Sequence, residues 1–456
     1  MTLQEYIGTL RGKRVAVIGV GVSNTPLIEL LLKNGVPVTA CDKNTRDKFG
    51  ELADRLEAGG AELRLGPDYL SGLDHDVIFK TPGMRPDIPE LLAAKERGSV
   101  VTSEMEVFFE VCPCWIIAVT GSDGKTTTTT IIAKLLEAAG YRVHLGGNIG
   151  RPLLAEAADI GVHDYAVVEL SSFQLMTMER SAHIAVMTNI EPNHLDYHRS
   201  MEEYTQAKKN IYKFQNPSDL LVLNSDNELT AAARYEARGG VSSFSRRGKV
   251  DKGCWFDGES IWYSNGRFAL EIVRRENIKL PGLHNVENYM AAFAAVMDIV
   301  GENVCRRVAA EFGGVEHRIE LVREKDGVRY YNDSIASSPS RSIAGLRSFE
   351  EKVIMIAGGY DKHIPYELIG PVICERVKKL VLVGATAPRI RDAVLACPGE
   401  KPEIFEYDDF EAAIRGAANI AETGDVVILS PASASFDLFK NFMERGERFR
   451  EIVNSL

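Results

Sequence analysis

Residues 117–130 read IAVTGSDGKTTTTT. The β-type residues Ile117 to Thr120 lead into Gly121-Ser122-Asp123-Gly124-Lys125-Thr126, and a run of hydroxyl residues then opens an Ala/Leu-patterned helix. A strand that ends in a glycine turn and feeds a helix N-terminus presents backbone N–H groups, and the helix dipole favours the same negative charge. We therefore read the stretch as a nucleotide phosphate loop, with Lys125 reaching the outer phosphates and the hydroxyl of Thr126 or Thr127 offered to Mg²⁺. The full pattern asks for glycine where this chain has Val119, so this is the shortened GxxGKT form. The plain alternative is a glycine turn that caps a helix.

The chain has 456 residues, beyond the ~250 to 300 at which single cores stop growing, so two or three domains are expected. A net charge of -11 argues against nonspecific nucleic-acid or anionic-membrane binding, since either surface would repel it. Seven cysteines lack zinc or redox spacing, and Cys112-Pro-Cys114 is CxC, which reads as reduced structural thiols. No signal core opens the sequence and no window reaches the ~20 apolar residues of a membrane span, so a cytoplasmic location is expected.

The predicted fold is α/β in three domains. Residues 1–107 form a Rossmann-like domain: strand Arg14 to Ile18, the turn Gly19-Val-Gly21, a helix from Pro26 to Lys33, and strand Val38 to Cys41 ending at Asp42. Asn24 stands where that fingerprint has its third glycine, and Asp42 is placed to accept from a ribose hydroxyl or to be a solvated strand end. Residues 108–315 form a central parallel-sheet domain around the phosphate loop. There Glu169, Asn189 and His194 fall at the ends of successive strands, beside the loop, where such sheets bind ligands. Glu169 offers a hard oxygen for Mg²⁺, and His194 a ligand for a second ion or a hold on substrate. Met201 to Phe214 reads as one amphipathic helix, residues 241–280 as a small antiparallel addition, and Asn285 and Asn288 as neighbours on one face where the helix Tyr289 to Val300 begins. Residues 316–456 form a doubly wound, Rossmann-like domain.

The set TGSDGKTT, GGNIG (146–150), ELSSFQL (169–175), NxxxNHLD (189–196), YxxAK (204–208), GLHNVEN (282–288), HR (317–318), NDS (332–334), GGxxK (358–362) and SFDxFKNFxxRG (435–446) resembles the Mur ligase family, in order and over nearly the whole chain. The resemblance implies UDP-substrate-, ATP- and amino-acid-binding domains and ATP-driven amide synthesis in peptidoglycan assembly. The GxG opening and the SFDxFKNF ending imply UDP-N-acetylmuramoyl-L-alanine and D-glutamate as the small-molecule substrates, with ATP and Mg²⁺ as cofactors, and a monomer is expected. By matching position, Glu169 and Thr126 would hold one Mg²⁺. His194 would serve a second with Lys208, a residue carbamylated in the family. Asn285, Asn288, Arg318 and Asp333 would hold ATP with the loop residues 121–127. Ser23, Asn24, Asp42 and Gly83 would line the UDP site, and Asn148, Ser171 and Gln174 would touch the muramyl part. Lys362, Ser337, Ser435 and Phe442 would bind D-glutamate. The chain departs from many relatives at Ile335, where they carry Lys.

Other ligases of the same fold, the L-alanine-adding enzyme or folylpolyglutamate synthase, remain alternatives at this stage. An NAD-dependent dehydrogenase would leave the phosphate loop unexplained, and a nucleotide-sensing switch would not need Glu169, His194 and Lys362 together.

Overall fold

The structure, a computed structural model, describes residues 1–195, 197–362 and 364–456. Asp196, which closes the NHLD motif, lies outside them. Among the described residues, three sheets are distributed over two compact units, Met1–Arg275 with Glu287–Val308, and Glu276–Val286 with Ala309–Leu456.

In the first unit, β1 (Val15–Ile18), β2 (Val38–Asp42), β3 (Glu62–Leu65), β4 (Val77–Phe79) and β5 (Val100–Thr102) form a parallel sheet ordered β3-β2-β1-β4-β5. β1, with all four residues buried, is the central strand, and the glycine turn leaves its carboxyl end. Edge strand β3 was not anticipated, because ELRL carries no apolar run and is only half covered. The helix after the turn begins at Asn24, two residues before the expected start.

The same unit holds the sheet that carries the phosphate loop. It runs β14-β13-β12-β11-β10-β9-β6-β8-β7, from β6 (Trp115–Thr120), β7 (Val143–Gly147), β8 (Tyr165–Glu169), β9 (Ile184–Met187), β10 (Leu220–Asn224), β11 (Gly240–Ser245), β12 (Lys252–Phe256), β13 (Ser260–Asn265) and β14 (Ala269–Arg274). β6 is parallel to both neighbours, β8 and β9, so the loop leaves the sheet between the ends that carry Glu169 and Thr188. The expected antiparallel addition is corrected: β11 and β12 continue the parallel run from β10, the β12–β13 and β13–β14 pairings are antiparallel, and all extend the central sheet. Two helix boundaries are corrected as well. The expected 201–214 helix is Met201–Lys209, and it stops where the Asn210 side chain leaves to donate to the Leu175 carbonyl. The later helix spans Leu283–Val300, so Asn285 and Asn288 lie inside its first two turns.

The second unit contains β15 (Glu320–Lys325), β16 (Val328–Asn332), β17 (Val353–Ala357), β18 (Val377–Val383), β19 (Glu403–Tyr407) and β20 (Val426–Leu429), ordered β15-β16-β20-β17-β18-β19. β15 is the antiparallel edge, and its charged sequence ELVREK gave no strand signal. β17 and β20 are buried on every residue, which explains their uninterrupted apolar runs.

The loops at the ends of β16 and β20 are tied by one side chain from the terminal helix Phe442–Ser455. Arg445, 2% exposed, donates from Nε to Ser334 Oγ (3.0 Å), from its terminal nitrogens to the carbonyls of Ser433 (3.1 Å), Ala434 (3.0 Å) and Ser334 (2.9 Å). Burial pulls its guanidinium down to about 10, so it still carries its charge at neutral pH. Removing it leaves several buried acceptors without donors, each worth ~1 to 3 kcal/mol, and Arg445→Ala is expected to destabilise the protein by about 4 kcal/mol in urea unfolding. A loss under 1 kcal/mol would show that water replaces it.

Candidate active site

The phosphate loop takes its shape from β9. Asn189 Oδ1 accepts from the backbone N–H groups of Ser122 (3.2 Å) and Asp123 (2.9 Å), while Thr188 Oγ1 donates to the Asp123 carbonyl (2.6 Å). Gly124 then turns with φ of 77°, where a Cβ would collide with Asn288 Oδ1, so glycine is required by both backbone and neighbour. The helix Lys125–Ala138 starts at this turn. Lys125 Nζ donates back to the carbonyls of Gly121 (3.1 Å) and Ser122 (2.9 Å), and Thr128 Oγ1 donates to Asn288 Oδ1 (3.2 Å), which brings Asn288 against the loop. Asn285 Nδ2 donates to Pro281 O (2.6 Å).

Thr126, not Thr127, meets the acid. Thr126 Oγ1 donates to Glu169 Oε2 (2.6 Å), and Asn148 Nδ2 donates to Glu169 Oε1 (2.7 Å), whereas Thr127 is buried in its helix. A carboxylate and a hydroxyl oxygen in contact, beside the glycine loop, are the hard-oxygen set that suits Mg²⁺.

Below the loop, the Met201–Lys209 helix delivers Lys208, 1% exposed. Its Nζ donates to Gly121 O (2.7 Å) and Thr120 Oγ1 (3.4 Å) and lies 4.6 Å from the Tyr204 ring centre. Burial, with the charge of Lys125 adding to it, holds this amine well below the usual lysine range. Tyr204 pairs its hydroxyl with Ser122 Oγ (2.9 Å), so one helix touches the loop at two points.

His194 lies on the exposed loop after β9, with a positive φ of 53° and its ring edge-on to Phe173 at 5.0 Å. Ser171 and Gln174 close a capping box on each other, Ser171 N–H donating to Gln174 Oε1 (3.0 Å) and Gln174 N–H to Ser171 Oγ (3.2 Å). At the first sheet, Asp42 is used by its own fold: Oδ2 accepts from Val20 N–H (2.8 Å) and Oδ1 from Asn44 N–H (2.8 Å). Asn24 is buried and donates to Ile18 O (2.9 Å), while Ser23 is half-buried and Gly83 exposed. No motif marks His198, buried against Ser172 Oγ (2.9 Å), or Arg85, which grips the Met201–Lys209 helix at Glu203 (2.8 Å).

In the second unit, Asp333 directly follows β16 and is buried, accepting from Ser430 Oγ (2.9 Å). Arg318 is half-buried and lowers the Asp333 carboxyl electrostatically. Lys362 is exposed with Nζ 5.3 Å from the Phe436 ring centre, Ser435 is buried, and Phe442 lies edge-on to His317 at 6.1 Å. Ser337 follows Ile335, its N–H donating to the Ile335 carbonyl (2.8 Å), and Arg341 donates to the same carbonyl (3.2 Å). Glu316, His317 and Glu447 bring three donor atoms together, but Arg450 pairs with both glutamates and with Glu320, so their charge is met by a guanidinium.

Residues 119–296 match the Mur ligase middle domain and residues 317–433 the Mur ligase, glutamate ligase domain. A protein of Acetivibrio thermocellus named UDP-N-acetylmuramoylalanine--D-glutamate ligase is 53% identical over 100% of this chain and 99% of its own. The chain belongs to the Mur ligase family. A second relative of this Mur ligase, with the same name, from Ruminiclostridium cellulolyticum, is 51% identical over 100% of the chain and 99% of its own. The fold of this Mur ligase is similar to the crystal structure of a UDP-N-acetylmuramate-alanine ligase from Thermotoga maritima (20% identity, TM-score 0.57, 97% and 99% of the two chains). It is also similar to a UDP-N-acetylmuramoyl-L-alanyl-D-glutamate--2,6-diaminopimelate ligase (18% identity, TM-score 0.57, 92% of each chain).

Burial pushes the Asp333 carboxyl up from 3.8 to about 7, against the Ser430 hydroxyl and Arg318. The folded Mur ligase thus holds a proton that the unfolded chain releases. The stabilisation is complete below 3.8 and is lost as pH rises through about 7. The unliganded protein's thermal midpoint, followed across that window, is expected to contain a falling component that Asp333→Asn lacks. Parallel profiles for the two chains would contradict it.

Proposed function

We propose that this chain joins D-glutamate to UDP-N-acetylmuramoyl-L-alanine, converting ATP to ADP and phosphate. The relatives at 53% and 51% identity over full length carry that activity in their names. The single observation that carries the mechanism is the loop between Glu169 and Lys208: a phosphate cradle with a carboxylate–hydroxyl pair on one side and a buried amine beneath.

The alanyl carboxylate attacks the γ-phosphate and forms an acyl phosphate. The amine of D-glutamate attacks the acyl carbon, and the tetrahedral intermediate expels phosphate. Two anions must approach each other in the first step, so positioning and charge stabilisation dominate. Lys125 and the N–H groups at the start of its helix are assigned to the phosphates. Glu169 and Thr126 would hold Mg²⁺, with His194 and a carbamylated Lys208 toward a second ion. Mg²⁺ held there would supply neutralisation of phosphate charge and a template for the in-line attack. Lys208 suits carbamylation because its burial favours the neutral amine, which adds CO₂ and releases a proton. An anionic oxygen group then replaces the neutral amine.

Asn288, with Asn285, Arg318 and Asp333, is assigned to ATP. Asn148, Ser171 and Gln174 are assigned to the muramyl substrate, and Ser23, Asn24, Asp42 and Gly83 to the UDP part. Asp42 would act through the turn it braces. Lys362, Ser337, Ser435 and Phe442 are assigned to D-glutamate, with Arg341 standing beside Ile335 where many relatives have Lys. The domains proposed are 1–107, 108–315 and 316–456. No described helix is long and apolar enough to cross a membrane, and a cytoplasmic monomer is the setting proposed.

Phosphate release from ATP, Mg²⁺ and UDP-N-acetylmuramoyl-L-alanine is expected with D-glutamate and to be at least 100-fold lower with L-glutamate, L-alanine or no acceptor, the discrimination that buried polar recognition can supply. Equal turnover with L-alanine would move the assignment to another ligase of the fold.

A further inference from the structure

The first sheet reaches the loop machinery through Arg85. This residue follows the Thr81-Pro-Gly83 turn at the end of β4, and its side chain is 18% exposed. Its guanidinium is filled on every side. Nε and one terminal nitrogen form a fork on Asp87 (2.8 and 2.9 Å). The terminal nitrogens donate to Glu203 Oε1 (2.8 Å) and Oε2 (3.1 Å), and to the backbone carbonyl of Tyr197 (2.6 Å).

Each distal contact leads to a group in the proposed mechanism. Glu203 lies on the Met201–Lys209 helix, one residue before Tyr204, which bonds Ser122, and five before Lys208, which bonds Gly121. Tyr197 closes a turn on His194, since the N–H groups of Tyr197 (3.0 Å) and His198 (2.9 Å) both donate to the His194 carbonyl. The Tyr197 hydroxyl also donates to Pro82 O (3.5 Å), inside the turn assigned to the UDP part. Phe173 fills the space between, with ring centres 4.2 Å from Tyr197 and 5.0 Å from His194. The pairing is tight enough that Arg85 pulls the Glu203 carboxyl down to about 2.

We infer that Arg85 is a positioning residue, which sets the loop of His194 and the helix of Lys208 from the turn that meets the UDP substrate. The inference rests on the function proposed above. A surface ion pair would contribute little, but a planar fork shared by two carboxylates and a carbonyl fixes direction as well as distance, and lysine cannot reproduce it. Displacement of catalytic groups by ~1 Å is enough to cost about 100-fold in rate.

The test compares wild type with Arg85→Ala, Arg85→Lys, Glu203→Gln and the Arg85→Ala/Glu203→Gln pair. Measurements are kcat, the KM of each substrate, the half-saturating Mg²⁺ concentration, Mn²⁺ binding in the presence of a nonhydrolysable ATP analogue, and the thermal midpoint. Arg85→Ala is expected to lower kcat on the order of 10- to 100-fold. It should also raise the half-saturating Mg²⁺ and weaken Mn²⁺ binding several-fold, while the KM for D-glutamate stays within twofold. Arg85→Lys should recover only part of the loss, and the double variant should be no worse than the poorer single variant. Unchanged kcat and metal dependence in Arg85→Ala would overturn the inference. So would a loss that appears only as a lower thermal midpoint or a smaller active fraction. Wild-type enzyme without D-glutamate-dependent turnover would instead sink the functional reading itself.

Discussion

A lysine amine buried against the carbonyl of the residue that opens a phosphate loop is the constraint around which the first unit is arranged. Placing Lys208 Nζ 2.7 Å from Gly121 O requires a helix packed directly under the loop, and the energetic cost of a buried cation favours its neutral form. Everything nearby fixes that helix. Tyr204 ties it to Ser122, Glu203 ties it to Arg85, and its own termination at Asn210 turns the chain away before it can run past the loop. The loop in turn hangs from Thr188 and Asn189, so its shape depends on β9 lying next to β6.

The second unit solves a related problem with a permanent cation. Arg445 donates to the loops after β16 and β20, so a guanidinium organises strand ends that otherwise present bare carbonyls. Gly446 beside it leaves room for the His317 ring, where any Cβ would collide. The motif SFDxFKNFxxRG therefore contains two residues whose physical role is internal architecture, while the exposed Phe436 and Lys362 face outward.

Much of the frame was readable from residues 117–130 outward. The strand–loop–helix order, the parallel strands ending at Glu169 and Asn189, and the apolar runs of β17 and β20 all follow from period and burial. What escaped were edge strands such as β3 and β15, whose half-covered residues need no apolar pattern. Spacing left Thr126 and Thr127 equivalent; only the approach of β8 selects Thr126. Helical periodicity alone does not distinguish Lys208 from its neighbour Lys209. The structure sends Lys209 outward to Glu236 and Lys208 inward to the loop. Arg85 and His198 gave no signal because their partners are distant in sequence and carry no motif. Asp42 was legible as an acid at a strand end, and Ser171 and Gln174 through the family resemblance, yet all three also satisfy their own backbone turns.

The most direct measurement is NMR of the enzyme equilibrated with carbon-13-labelled bicarbonate. A protein-bound carbamate resonance is expected in the wild type and absent from Lys208→Ala, because only a buried, neutral amine at this position captures CO₂ durably. A wild-type spectrum without that resonance, from enzyme that turns over D-glutamate, would contradict the role given to the buried amine.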